Sequence, residues 1–395
     1  MSAGRKTVVA VVFGGRSVEH DVSIVTARQV MRAFDAEVFE VVPVYIDREG
    51  RWFTGEPLRD LNTFKNEGVS IAGVVPTLLS PAVQHHGLIV NPAPTGFLAK
   101  SQIKRIDVVF PTIHGSHGED GTLQGLLELA DIPYVGSGVL ASAIANDKTM
   151  TKTVLRGSAI PVVDSVSFTR AEWLTAPDMI VTRITRTLAY PIFVKPATLG
   201  SSIGIGRAAD EKMLRIYIDV AASFDERLLA ESAVTDAIEI NCSVIGSAVL
   251  AEASVLEQPI SWDNFLTYEE KYLRGGEGMK SAERIIPAPI PPALTQTIRD
   301  TAIAAFHAIQ GRGIARMDFL VTADLSQVYL NEINTMPGSL SFYLWQETGM
   351  TPRQLVARLV QIARDAYAEK RRSTYNYQTS LIAVTAARGV KGMKK

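Results

Sequence analysis

The first patterned stretch, residues 7–13, is apolar at every position after Thr7. A run of this length without polar alternation reads as a strand buried on both faces. Gly14 and Gly15 end it, residues 14–21 read as a loop, and residues 22–34 carry apolar positions at helical spacing. A second strand follows at 39–46, so the chain opens as an α/β unit. From 47 to 104 the pattern breaks around Pro57, Pro76, Pro81, Pro92 and Pro94, which predicts hairpins and loops. A strand resumes at 107–111. A glycine-rich turn over 114–121 precedes a helix through Ala130, and 133–135 reads as a short strand.

A helix around 141–156 leads on to strands at 162–168 and 191–195, with Thr169 and Glu172 spaced as a capping box between them. A glycine-serine loop spans 200–206 and a helix 210–222. Residues 227–231, 238–244 and 249–255 read as strands of a third unit. The polar stretch 257–283, with Gly275, Gly276 and Gly278, is expected to be a long mobile loop. A helix at 293–310, strands at 313–320 and 327–333, and a helix opened by Thr351-Pro352 complete the pattern. The polar tail from Arg371 is expected to be loosely held.

At 395 residues the chain has room for two to three domains of about 150 residues each. With 47% hydrophobic and 21% charged residues it has the make-up of an ordinary globular protein, which excludes collagen-like and disordered classes. Forty Lys and Arg against 41 Asp and Glu leave a net charge of −1, so no global field favours nucleic acid or an anionic membrane. Any phosphate must be handled locally. The single cysteine, Cys242, excludes an internal disulfide and fits a reducing compartment, with the cytoplasm expected. The apolar run at 8–13 is too short for a signal segment or a membrane span, so no membrane partner is expected.

Candidate chemistry concentrates near the C-terminal end. Period-two alternation puts Arg316 and Asp318 on one face of a strand, and Glu332 and Asn334 on one face of the next. A hairpin symmetric about Leu325 sets 318 opposite 332 and 316 opposite 334, with opposed Cβ atoms about 4.5–5.5 Å apart. Two carboxylates that close repel unless a cation lies between them, and an amide oxygen adds a hard neutral ligand, which points to magnesium. The same residues would also serve as a solvated hairpin.

A second group is Lys195 at the end of an apolar strand, followed by Gly200-Ser201-Ser202. Such a loop offers unhindered N–H groups and hydroxyls to phosphate oxygens, although a plain surface turn has the same composition. Gly136-Ser-Gly138-Val-Leu-Ala141 fits a dinucleotide-binding pattern, but the acidic residue expected about 20 positions on is missing. His20, His114 and His117 follow strands, where ligand groups gather, whereas His85, His86 and His307 read as structural. No Gly-x-Ser-x-Gly elbow supports a serine hydrolase. Cys242 reads as a small buried hydrophobe.

With these residues in view, the chain resembles the D-alanine–D-alanine ligases of the ATP-grasp superfamily. The resemblance runs in order through Gly14-Gly-Arg-Ser-Val-Glu19-His-Asp-Val-Ser23, His114-Gly, Gly118-Glu-Asp-Gly-Thr-Leu-Gln-Gly125, Asp147-Lys148, Lys195-Pro, Gly200-Ser-Ser, Tyr268-Glu-Glu-Lys-Tyr272, Arg316-Met-Asp318 and Asn331-Glu-Ile-Asn-Thr335. It implies an α/β fold: an N-terminal doubly wound domain, 1–135, and a two-part ATP-grasp unit, 136–230 and 231–372, with a tail at 373–395.

By the same resemblance, ATP lies between the central and C-terminal parts. Lys148 and Lys195 are expected at its phosphates with Ser201 and Ser202, Glu231 at the adenine, Glu239 at the ribose, Phe265 near the base and Lys271 at the γ-phosphate. Asp318, Glu332 and Asn334 would hold two magnesium (or manganese) ions. Glu19 would take the ammonium of the first D-alanine and His114 lie by its carboxylate, with Ser201 and Tyr272 linking Glu19 to the mobile loop. Arg316 and the Gly338 N–H would stabilise an oxyanion. The segment after Pro337-Gly338 is shorter than the family pattern, so Ser339 or Ser341 is the candidate for the second substrate's carboxylate. The stretch 235–241 lacks the family's usual glycine, and Tyr272 favours an amino acid over D-lactate. A homodimer is also implied. The expected product is D-alanyl-D-alanine for peptidoglycan synthesis, made through an acylphosphate; the alternatives are D-serine or D-lactate as second substrate, or a silent ATP-binding module.

Overall fold

A computed structural model of the chain describes residues 5–64, 72–91, 101–260 and 284–375, together with 379 and 382. Strand β1 (Thr7–Gly14) is buried on both faces, as its unbroken apolar run requires. Val9, Val11 and Phe13 pack toward α1 (His20–Ala33), while Val8, Ala10 and Val12 pack toward Leu123 and Leu127 of α2 (Thr122–Leu129). The strand ends at Gly14 because φ there is +86° and a Cβ would sit 2.2 Å from the Ile46 carbonyl oxygen. Parallel neighbours β2 (Phe39–Ile46) and β7 (Val108–Pro111) flank β1. The proline-punctuated region adds β3 (Trp52–Thr54), β4 (Val75–Leu79), β5 (Gly87–Val90) and β6 (Gln102–Arg105), giving the order β6-β5-β4-β3-β2-β1-β7. Residues 133–135 contribute only a bridge between Val109 and Tyr134, not a strand.

The helix expected at 141–156 is two helices, α3 (Val139–Asn146) and α4 (Lys148–Gly157). They break at Asp147, whose extended backbone and side chain cap α4 by accepting the Met150 N–H at 2.9 Å. Lys148 therefore starts a helix instead of lying inside one.

The second sheet joins β8 (Ser165–Thr169), β9 (Ile192–Pro196), β10 (Gly206–Ala208) and β11 (Arg227–Ser232), all antiparallel, in the order β10-β9-β11-β8. Strand β11 thus belongs here and not to the third unit expected from sequence. Its Leu228 and Ala230 share a core with Phe168, Ile192 and Val194. Helices α5 (Arg170–Thr175), α6 (Pro177–Thr187) and α7 (Glu211–Phe224) accompany this sheet. Thr169 and Glu172 form the expected capping box, whereas α6 was not anticipated.

The third sheet is antiparallel, β14-β13-β12-β15-β16, from β12 (Ile238–Gly246), β13 (Ala251–Pro259), β14 (Arg284–Ile285), β15 (Gly313–Val321) and β16 (Val328–Asn334). Ile298, Ala302 and Phe306 of α8 (Pro292–Ala308) pack on Val244, Ala315 and Met317. After the short α9 (Phe342–Glu347), α10 (Pro352–Lys370) returns to the first sheet, where Leu355, Val356 and Leu359 join the core of Val9, Val11 and Phe110. Among the described residues no helix is long and apolar enough to cross a membrane.

Candidate active site

The β15–β16 hairpin sets Asp318 opposite Glu332 and Arg316 opposite Asn334, as the symmetry about Leu325 requires. A bulge follows: Phe319 pairs with Leu330, so Asn331 is an extra residue and pairing on the turn side is shifted by one. Asp318 is buried and receives the Arg316 fork, Nε to Oδ1 at 2.6 Å and Nη2 to Oδ2 at 2.7 Å. Asn334 donates its amide to the same carboxyl at 3.0 Å. Burial pushes the Asp318 carboxyl up to about 7, with Arg316 opposing and the Glu332 and Glu239 carboxylates adding to the rise. Among the described residues no three His, Cys, Asp or Glu side chains cluster as a metal site, since the third member here is an amide.

On one side of this hairpin a cavity is lined by Lys195, Ser202, Glu231, Glu239, Asp318 and Glu332 and by the segment 232–238. At its edge a buried triad forms. Lys195 Nζ lies 2.5 Å from Glu231 Oε2, and Lys152 Nζ lies 3.0 Å from Oε1. Burial alone would raise the Glu231 carboxyl, but Lys152 and Lys195 together reverse this and hold it at about 2. Both carboxylate oxygens are thus engaged by lysines. Lys152 escaped the sequence reading, although it sits one turn beyond Lys148 on α4.

A second cavity adjoins the first and shares Lys148, Gly200, Ser201, Glu239 and Glu332 with it. Its own wall includes Glu19, His114, Glu119, Arg316, Asn334 and Gly338. Lys148 donates to the Leu199 carbonyl at 2.6 Å, and burial lowers its pKa. Ser201 donates a short hydrogen bond to Glu19. The Glu19 carboxylate also lies close over Gly115, where φ is +66° and a Cβ would be 2.8 Å from Oε2. One carboxylate therefore joins the loop after β7 to the loop after β9.

His114 lines this cavity, but both of its ring nitrogens have protein partners. A carbonyl can only accept, so Nδ1–H donates to Met336 O at 2.8 Å, and Nε2, kept neutral by burial, accepts from Thr26 Oγ1 at 2.9 Å. His114 accordingly holds the turn before Gly338 and has no ring nitrogen left for a substrate carboxylate. Glu119 grips the same turn by accepting the N–H of Met336 at 2.7 Å, together with that of Gly115 at 2.8 Å. It lies within the motif 118–125, whose pattern alone assigns it no role.

Some candidate residues lie off the cavity wall. Ser339 and Ser341 are buried off the wall of the cavity, because residues 339–341 are all left-handed (φ 51°, 47° and 47°) and turn inward. His20 is buried between the Gly15 carbonyl and Tyr45, and exposed His117 faces Asp120; neither lines the site. Cys242 is buried in the core of the third sheet, as expected. Phe265, Lys271 and Tyr272 lie outside the described residues. Glu257, Arg284 and Tyr343 line the second cavity, and no motif had singled them out.

Comparisons with known proteins agree with this arrangement. Residues 8–137 match the family model described as D-ala D-ala ligase N-terminus, and residues 154–361 match D-ala D-ala ligase C-terminus. A D-alanine–D-alanine ligase of Natranaerobius thermophilus is 39% identical over 382 residues, covering 95% of this chain and 100% of the relative. One from Geobacillus thermodenitrificans is 38% identical, covering 94% and 100%. Among solved structures, the VanG D-Ala:D-Ser ligase from Enterococcus faecalis superimposes with a TM-score of 0.77 at 28% identity, covering 91% of this chain and 100% of that one. The D-alanine-D-alanine ligase from Coxiella burnetii gives 0.76 at 28% identity, covering 97% and 99%. The paired cavities, the Arg316–Asp318 hairpin and matches across both halves of the sequence place this chain in the D-alanine–D-alanine ligase family.

Proposed function

We propose that this chain is an ATP-dependent ligase joining two D-alanine molecules, with D-alanyl-D-alanine, ADP and phosphate as products, for peptidoglycan precursor synthesis in the cytoplasm. The observation that carries the reading is the pair of adjoining cavities whose common wall includes Lys148, Gly200, Ser201, Glu239 and Glu332. A nucleotide in one would bring its γ-phosphate to that wall, and a carboxylate in the other would meet it there.

Lys148 and Lys195 would neutralise the phosphates, with Ser201 and Ser202 donating from the loop after β9. Glu231 would act through the lysines, leaving 232–238 to face the adenine and Glu239 the ribose. A divalent metal fits Asp318, Glu332 and Asn334. Two carboxylates are opposed across the strand pair, and an amide oxygen on the facing strand adds a hard neutral ligand. When bound, the metal would supply charge neutralisation between phosphate and carboxylates.

Glu19, held by Ser201, would fix the ammonium of the first D-alanine, whose carboxylate then attacks the γ-phosphorus to give an acylphosphate. The amine of the second D-alanine attacks that carbonyl. Arg316 and the Gly338 N–H would stabilise the oxyanion that develops. A test is ADP formation with ATP, magnesium and D-alanine, with the product identified by mass. No D-alanine-dependent ADP would sink the proposal. Likeness to a D-Ala:D-Ser ligase makes D-serine the second reading, and offering both acceptors in competition separates the two.

A further inference from the structure

We infer that Asp225, which is on neither cavity wall, is a positioning residue for the phosphate side. It holds the loop after β9 in the shape that presents Ser201 and Ser202, while Arg227 beside it holds the start of α4. The inference rests on the ligase reading above for naming phosphate as what this loop receives. It starts from the loop's own conformation. Ser201 and Ser202 are both left-handed, with φ of 55° and 60°, a region that residues with a Cβ leave unless their surroundings hold them there. Both ends of the loop are seated on the end of α7. At the first, the N–H and the hydroxyl of Thr198 both donate to Asp225 Oδ2, each at 2.8 Å. At the second, Gly204 has φ +72°, and a Cβ there would lie 2.8 Å from the Phe224 ring and 2.9 Å from Pro196. Asp225 is buried and is itself fixed by accepting the Arg227 N–H on Oδ1 at 3.0 Å. One carboxylate thus takes three donors, which an amide oxygen with two lone pairs cannot do.

Arg227 extends the anchor to Lys148. Its carbonyl accepts the Ala197 N–H at 2.9 Å, and its Nη1 lies 2.7 Å from Asp147 Oδ2, a charge contact and not an aligned hydrogen bond. Asp147 caps α4, whose first residue, Lys148, donates its N–H to the Ala197 carbonyl at 2.9 Å and its Nζ to that of Leu199. The turn 225–227 therefore grips the roots of two elements that face the nucleotide cavity, at Asp147 and at Ala197 and Thr198. Donors aimed at phosphate oxygens serve only if they are held in place before the ligand arrives, and buried residues behind them supply that hold. Ser201 also donates to Glu19, so the same anchor sets how the nucleotide side meets the first amino acid.

The test sets geometry against charge. Asp225 is near enough to favour the charged form of Lys148, so a neutral residue in its place removes negative charge from the phosphate side, and charge alone would tighten ATP binding. Loss of the anchor weakens it. Binding of ATP with magnesium, and of adenosine, is measured by calorimetry on full-length wild-type and Asp225→Asn protein. Asp225→Asn is expected to lower the ratio of ATP to adenosine affinity by about tenfold, the size of one charged hydrogen bond, with adenosine within about twofold of wild type. A ratio that is unchanged or raised overturns the inference, as does an equal loss for both ligands, which marks a general structural defect. If Asp225→Asn does not fold, Thr198→Val decides, because it removes only the hydroxyl that donates to Asp225. The ratio is then expected to fall by about threefold or more, and an unchanged or raised ratio overturns the inference. These measurements contain no D-alanine. Wild-type enzyme that forms no D-alanine-dependent ADP would therefore refute the ligase reading and leave the binding result standing.

Discussion

Glu119 and Met336, 217 positions apart in the chain, meet in a 2.7 Å hydrogen bond from the Met336 N–H to the Glu119 carboxyl. His114 takes the carbonyl of the same peptide unit's neighbour, Met336 O, and Thr26 accepts the Ser339 N–H at 3.2 Å. Three side chains, Thr26 of α1 and His114 and Glu119 after β7, thus fix the turn that presents Gly338.

Burial, reinforced by the Glu19 carboxylate, pushes Glu119 up to about 8 against the hydrogen bonds from Gly115 and Met336. The folded protein then holds a proton that the unfolded chain gives up near pH 4.3, taking about 4.3 as the unfolded value. The contribution is whole below that pH and is lost as the pH rises through about 8. Glu119→Gln should flatten this slope between pH 5 and 8 in urea unfolding. Its amide NH2 also opposes one of the two backbone donors, which costs about 1–3 kcal/mol, and a loosened turn should lower kcat. A slope equal to wild type would contradict the assignment.

The two carboxylates of the hairpin should respond unequally. Asp318→Asn leaves the largely buried Arg316 guanidinium without its charge partner, and breaking such a pair costs about 3–5 kcal/mol. Glu332→Gln removes a carboxylate that raises Asp318 but also one that favours charged, buried Lys148, so the metal-free protein should lose less stability than Asp318→Asn does. Both should reduce kcat by a hundredfold or more. Thermal unfolding in EDTA beside kcat separates the cases, and a fall in Tm for Glu332→Gln matching that of Asp318→Asn would refute the argument.

Much of this site was legible because hairpin symmetry is arithmetic: fixing Leu325 as the centre set Asp318 against Glu332. The bulge at Asn331 was not legible, since one unpaired residue leaves no mark in alternation. Thr169 and Thr351 announced their helices through capping boxes, both formed. Asp147 is a cap-type residue without a Glu or Gln three positions on, and the apolar positions on either side of it read as one helix. Arg227–Ser232 was assigned to the wrong sheet because a strand's own sequence does not name its neighbours; Leu228 and Ala230 do so only through the packing. Arg284 reaches the site by long-range closure, for which spacing offers no clue, whereas Lys152 lies one helical turn beyond Lys148 and Glu119 lies inside the 118–125 motif.

Ser341 is fully buried, and its hydroxyl has no hydrogen-bond partner among the described residues. A buried unsatisfied hydroxyl costs about 1–3 kcal/mol. Ser341→Ala removes it with little change in volume, so Tm should rise and the KM for D-alanine should stay within about twofold of wild type. A large rise in that KM would return Ser341 to the acceptor site.

Lys152 sets the charge of the phosphate cavity without facing it. Lys152, Lys195 and Glu231 sum to +1, and Lys195 is the lysine of the three that lines the cavity. Lys152→Met leaves Lys195 in a neutral pair with Glu231, so the phosphates lose a net charge while the adenine side is untouched. The KM for ATP should rise about tenfold or more, with binding of adenosine, which has no phosphate, nearly unchanged. Stability should fall by about 1–3 kcal/mol, less than for a fully broken buried pair, because Lys195 still holds Glu231. With Glu231 depressed to about 2, its contribution is present above the unfolded value and declines as the pH falls toward 2, and Lys152→Met should weaken that acid limb. The double change Lys152→Met with Glu231→Gln restores +1 at Lys195 and should recover part of the affinity for ATP. If the double variant binds ATP no better than Lys152→Met, the charge argument fails and Lys152 is a packing residue only.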